Sequence, residues 1–167
     1  GAAIAWAKAE GRPSIIATFD PHPVRFFKPD VPPFRLTTLE QRHELYLAAG
    51  ATAMLVFHFD AALAGTSAED FIAHILVQRL GAHGVVTGAD FTFGKGAKGN
   101  VALLRGLGGE LGLQSRVIAA VADGGEVVSS SRVRQALRDG DPQLAARLLT
   151  RPFAIRGIVE HGDKRGR

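Results

Sequence analysis

The chain has no cysteine. Disulfides, thiolate metal sites and cysteine nucleophiles are therefore excluded. It also lacks an apolar run of bilayer length, since its longest apolar stretches are strand-sized. No charged segment followed by an apolar core and a cleavage site opens it, so no secretory signal is visible. These absences suit a cytoplasmic protein. Position 1 is glycine rather than methionine, and we expect the sequence to be part of a longer protein. His43, His58, His74, His83 and His161 show no i, i+4 pairing or shared spacing, so no zinc site and no metal-ligating residue is assigned. A Ser–His–Asp triad, a Gly-x-Ser-x-Gly elbow and a Walker loop are all missing. Basic residues are scattered, and the one dense run, Lys164-Arg165-Gly166-Arg167, reads as a solvated terminal tail. No aromatic platform sits beside a basic groove, so neither nucleic acid nor membrane is an expected partner.

What is present describes a folded domain. At 167 residues and 46% hydrophobic the chain can bury one good core, and it is too short for two full domains. A mean hydropathy of +0.09 with regular apolar runs argues against disorder. The formal charge of +4 favours anionic ligands.

Ala2–Glu10 reads as a helix closed by Gly11 and Pro13. Ser14–Phe19, Ala53–Phe57 and Gly84–Gly88 read as buried strands, with a fourth at Arg116–Val121 before a turn at Asp123-Gly124-Gly125. Pro21, Pro23, Pro29, Pro32 and Pro33 predict an extended loop without helix. Thr38 caps a helix running to Ala49, with Gly50 as its stop. Ser67 and Asp70 start a helix that reaches Leu80 and ends at Gly81. Further helices are expected at Val101–Leu111, Ser131–Asp139 and Pro142–Leu149, the last capped by Asp141. Apolar strands separated by helices predict an α/β class: an open parallel sheet covered on both faces. Ligands then gather at the carboxyl ends of the strands, so the unusual loops should share one edge of one sheet. From Phe153 a lone strand to Glu160 precedes glycines and bases. The expected division is residues 1–150 as one domain and 151–167 as the opening of a second.

Two segments carry the chemistry. Ser129-Ser130-Ser131-Arg132-Val133-Arg134 opens a helix, where unpaired backbone N–H groups already favour anions. The serine hydroxyls add donors, and Arg134 adds a planar fork matched to phosphate. A plainer reading makes one serine the helix cap and leaves the others exposed. Gly88-Ala89-Asp90-Phe91-Thr92-Phe93-Gly94 follows a strand. Its glycines permit close backbone approach, Phe91 or Phe93 offers a stacking face, and Asp90 can accept from a ribose or amino group or hold a metal through water. The plainer reading there makes the phenylalanines core anchors. Asp20-Pro21-His22-Pro23 is a rigid turn able to set a ring or a carbonyl against a ligand. These residues alone indicate a site for a nucleotide or a phosphorylated cofactor.

In this order the segments resemble the bacterial bifunctional riboflavin kinase/FMN adenylyltransferase (FAD synthetase) family. The resemblance runs over nearly the whole chain: Thr18–Pro23, Leu36–Arg42, Thr66–Phe71, Gly88–Gly94 with Gly99, Val128–Arg134, Gly140-Asp141 and Arg151-Pro152-Phe153. It implies a Rossmann-like nucleotidylyltransferase fold and transfer of AMP from ATP to FMN, giving FAD and pyrophosphate. Mg²⁺ is the implied cofactor, with ATP and FMN as substrates and riboflavin as substrate of an attached kinase. On this likeness Ser129, Ser130, Ser131 and Arg134 hold the leaving pyrophosphate. Gly88 and Asp90 seat the nucleotide, and Pro21, His22, Pro23, Phe91 and Phe93 shape the flavin pocket. Ser131 stands where the family usually has Thr, and Arg42 where it usually has Lys. The family's first signature, a glycine-rich strand end with a His-x-Gly-His element, would lie before Gly1. His161-Gly162-Asp163-x-x-Gly166-Arg167 resembles the start of the kinase β-barrel, without its Pro-Thr-Ala-Asn element. The expectation is weak binding and poor catalysis by this chain alone, with an active parent protein. A nucleotide-binding or sensing module without catalysis and a basic nucleic-acid binder stay open as alternatives. No oligomeric state is assigned.

Overall fold

The computed structural model describes residues 1–30, 35–160 and 162. Pro32, Pro33, His161, Asp163 and the basic tail Lys164–Arg167 lie outside the described residues.

Helix α1 (Ala2–Ala9) leads into β1 (Ile15–Asp20). After the short α2 (Pro23–Phe27), α3 (Leu39–Ala48) crosses over to β2 (Ala53–His58). Next come α4 (Ala61–Gly65) and α5 (Ala68–Asp70), which runs on as a π-helix over Phe71–Arg79. β3 (Gly84–Gly88) is followed by α6 (Val101–Glu110) and β4 (Gln114–Ile118). A small hairpin, β5 (Ala122–Asp123) and β6 (Glu126–Val127), precedes α7 (Ser130–Arg138) and α8 (Pro142–Leu149).

The strands pair in parallel as the α/β reading requires. β1 runs beside β2 from Ile15↔Ala53 to Asp20↔His58, and β3 beside β4 from Gly84↔Gln114 to Gly88↔Ile118. Each pair is joined through helix, as parallel neighbours must be. The expected single sheet is not what forms: among the described residues β1–β2 and β3–β4 are separate two-stranded ladders. Every strand is thus an edge, which explains why β1 and β2 are not buried on both faces. Ile15 is 55% exposed and Val56 38%.

Other departures have local causes. The proline-rich stretch contains a helix after all, because His22 Nδ1 accepts the Val24 N–H at 3.2 Å and Pro23 takes the first helical position. Asp60 caps α4 by accepting from the Leu63 N–H at 2.8 Å. The helix after Ser67 winds as a π-helix instead of an α-helix. Its i→i+5 bonding sets Phe71, Ile72 and Leu76 on one buried side. The fourth strand begins earlier than expected, at Gln114, whose N–H extends the ladder to the His83 carbonyl at 2.9 Å. Val121 is taken instead by the hairpin, accepting from the Val128 N–H at 2.8 Å. The expected strand Phe153–Glu160 does not form: the segment has no regular secondary structure. Its ties run to α3: Gln41 Nε2 donates to the Ala154 carbonyl, and both arms of Arg156 grip Glu44 at 2.8 and 2.9 Å.

Two apolar clusters hold the scaffold. Ala68, Phe71, Ile72, Leu76, Phe93, Leu104 and Leu113 form the larger. The smaller locks α7 to α8 through Val133, Ala136, Ala145 and Leu148, with Leu36 and Val128 packed against it. Leu36 thereby draws the entry to α3 towards α7, and this closure shapes the site.

Candidate active site

A cleft of about 940 Å³ opens between the carboxyl end of β1, helix α3 and the start of α7. Each wall follows from local sequence. β1 delivers Phe19 and Asp20, and the Asp20–Pro21 peptide is cis. His22 then caps α2 through Nδ1 while lining the cleft. Thr38 opens α3 with a complete capping box: its hydroxyl accepts the Gln41 N–H, and Gln41 Oε1 accepts the Thr38 N–H at 2.9 Å. The helical repeat then turns Arg42, Leu45 and Tyr46 to the cleft as one face.

The hydroxyl run divides by role. Ser129 is the cap of α7, its Oγ accepting the Arg132 N–H at 3.2 Å. Ser130 and Ser131 line the cleft. Arg132 turns the other way, donating to the carbonyls of Asp123 and Glu126 and pairing with the Glu126 carboxylate at 3.0 Å. Val133 and Ala136 are buried against α8. That rotation leaves Arg134 and Arg138, one helical turn apart, on the cleft side.

Six arginines line this cleft: Arg25, Arg35, Arg42, Arg134, Arg138 and Arg151. Asp20, the carboxylate among the lining residues, is paired with Arg35 at 2.7 Å. The surplus is strongly cationic, and it acts on His22. Partial burial, then the Arg134 and Arg42 charges, hold the imidazole below its ordinary pKa of 6.5. With Nδ1 accepting from Val24, the neutral ring carries its proton on Nε2 and can donate to an anion. Sequence reasoning gave a site role only to Arg134 of this ring, with Arg42 and Arg151 noted as parts of the family resemblance. Arg138, four residues on, was the one legible signal; the other four come from separate segments and converge only in space.

The Gly88–Gly94 loop sits elsewhere, after β3 in the second ladder, and none of Gly88, Asp90, Phe91 and Phe93 lines the cleft. Phe93 is buried at 7% exposure and packs on Phe71 with ring centroids 5.5 Å apart. Phe91 stacks on Phe93 at 5.3 Å. Gly94 has φ +72° and lies so close to α5 that a Cβ there would stand 2.6 Å from the Ala68 backbone. At Gly88 the space a Cβ would need is held by the Asp90 carboxylate, 2.9 Å away. Pro21 and Pro23 flank His22 and are not themselves lining residues. Among the described residues no group of three or more His, Asp or Glu side chains could cage a metal ion.

Parallel strand pairs joined by helices, with a cationic cleft at a strand end and a helix start, define an α/β protein with an anion-binding cleft. The family model described as FAD synthetase matches residues 1–132, and the chain belongs to that family. It is 37% identical over 162 residues to the bifunctional riboflavin kinase/FMN adenylyltransferase of Escherichia coli K12, covering 95% of this chain and 52% of that protein. Proteins of the same name from Pseudomonas fluorescens and Bacillus subtilis are 38% and 35% identical; they cover 94% and 96% of this chain, and 50% and 51% of their own lengths are matched. The chain thus spans about half the length of these relatives. A crystal structure described as a macrolide-efflux protein from Streptococcus pneumoniae superposes with a TM-score of 0.79 and 27% identity, over 97% of this chain and 52% of that one. Efflux is said of that protein; no described helix here is long and apolar enough to cross a membrane.

Proposed function

We propose that residues 1–150 form an FMN adenylyltransferase domain, that 151–167 begin a riboflavin kinase module, and that the protein works in FAD biosynthesis in the cytoplasm. One observation carries the reading: in a chain of the FAD synthetase family, six arginines, two helix-start hydroxyls and a neutral histidine share one cleft. An FMN phosphate oxygen attacks the α-phosphorus of ATP. A new P–O bond forms as the bond to the β-phosphate oxygen breaks, and pyrophosphate leaves. Such a transfer depends on positioning and charge neutralisation more than on a protein nucleophile. Ser130, Ser131 and Arg134 hold the leaving pyrophosphate, Ser129 fixes the helix start beneath them, and the Pro21-His22-Pro23 turn offers a neutral N–H donor. Mg²⁺ would enter with ATP and neutralise charge on its phosphates; Ser130 and Ser131 are the neutral oxygen donors the cleft could offer it.

The gene product in full length, given FMN, ATP and Mg²⁺, is expected to yield FAD and pyrophosphate on a chromatogram. In a parallel tube with riboflavin it should make FMN first. Failure to form FAD from FMN in a folded protein would overturn the adenylyltransferase reading, leaving the non-catalytic nucleotide-binding module.

A further inference from the structure

Arg42 differs in its company from the arginines that meet a carboxylate, and, unlike Arg151 on the Pro152 carbonyl or Arg116 over the Trp6 ring, it is held by side-chain hydroxyls. Arg35, Arg132, Arg147 and Arg156 each meet a carboxylate, at 2.7, 3.0, 3.1 and 2.8 Å. Arg42 is half-buried, and among the described residues its partners are two neutral hydroxyls. Nη1 donates to Thr18 Oγ1 at 2.6 Å and Nε to Thr37 Oγ1 at 3.4 Å. Two of the roughly five N–H donors of a guanidinium are thereby spent on orientation, and its full charge remains for something else. Holding a cation half out of water without a carboxylate costs solvation, and a ligand anion returns it. The residue lines the same cleft as Ser130, Ser131 and Arg134, but from a different element. Its field and that of Arg134 both reach His22.

We infer that Arg42 is a phosphate-binding residue of the cleft, and that Thr18, in the carboxyl half of β1, is the positioning residue that aims it. The inference rests on the adenylyltransferase reading and assigns α3 a share of the polyphosphate chain opposite the helix start of α7. A guanidinium tethered by a strand hydroxyl arrives already ordered, so less side-chain freedom is lost when phosphate binds.

Calorimetric titration of the full chain with ATP, inorganic pyrophosphate and adenosine tests this. Arg42→Gln should weaken ATP and pyrophosphate about ten-fold or more, the measure of one charge-assisted contact, and leave adenosine unchanged. Arg42→Lys keeps the charge and guards against a folding defect; it should fall between the two. Thr18→Val should weaken pyrophosphate several-fold and Thr18→Ser should restore it. The double variant Thr18→Val with Arg42→Gln should bind no worse than Arg42→Gln alone, because Thr18 acts through the guanidinium. Equal loss of adenosine, or additive losses in the double variant, would overturn the inference. So would wild-type affinity in a folded Arg42→Gln. Wild-type protein that binds neither ATP nor pyrophosphate would instead sink the reading of the cleft itself.

Discussion

At Arg134 the useful chemistry depends on which way one helix is turned. Val133 and Ala136 are anchored in the α7–α8 core, and Arg132 is spent on the β5–β6 hairpin, so Arg134 is carried to the cleft. A charge-assisted contact to phosphate contributes roughly 1.5–3 kcal/mol. Arg134→Ala should therefore weaken ATP binding about ten- to hundred-fold with the fold intact, as read by titration and circular dichroism. His22 gives a second test at this scale. Its lowered pKa means that protons bind the folded ring less readily than an ordinary histidine. The stability it contributes is present above the ordinary value of 6.5 and lost as pH falls through that value and below. A nitrogen-detected NMR titration should find an Nε2–H tautomer with a midpoint under 6.5, rising when pyrophosphate offsets the arginines.

Elements set where those residues stand. The hydroxyl of Ser129 accepts the Arg132 N–H and starts α7, as Asp141 starts α8 by accepting from Leu144 at 2.8 Å. Replacing such a cap by alanine costs about 1 kcal/mol. Asp141→Ala should show that loss in urea unfolding while pyrophosphate affinity changes little, because Asp141 is absent from the cleft wall. Gly94→Ala should cost more, upwards of about 2 kcal/mol, since a positive φ and a backbone contact at 2.6 Å forbid the methyl group together. A thermal melt reads it directly, and a neutral result would mean that the loop is less closely packed on α5 than described. The capping signals at Thr38, Ser67 and Asp141 were legible beforehand, being local hydrogen bonds between residues three apart, whereas those at His22 and Asp60 were not. The π-winding of Phe71–Arg79 was not, because the same residues suit an α-helix until their packing partners are known.

Across the whole molecule, charge that is scattered along the chain becomes concentrated. Arg25 and Arg151 are remote in sequence yet line one cleft. Fields from partly exposed charges are screened over about 8–10 Å at physiological salt. ATP affinity should accordingly fall several-fold between about 50 and about 500 mM salt, while adenosine, which has no phosphate, should bind with little change. Salt-independent binding of ATP would argue that the arginine ring makes no electrostatic contribution.

The sequence alone determined the α/β class, the parallel pairing, most helix starts and the hydroxyl-rich opening of α7. All of these rest on interactions between near neighbours or on the period of apolar residues. Tertiary structure decided the rest. Among the described residues the strands fall into two ladders, and Gly88, Asp90, Phe91 and Phe93 are not among the residues lining the cleft that holds His22, Ser130 and Ser131. Phe93 became a core anchor there, since a ring can be buried only where other apolar surface meets it. Arg25, Arg35, Arg42 and Arg151 entered the site because separate segments converge around Leu36 and the α7–α8 core. Such convergence is a property of packing, and no local spacing in the chain encodes it.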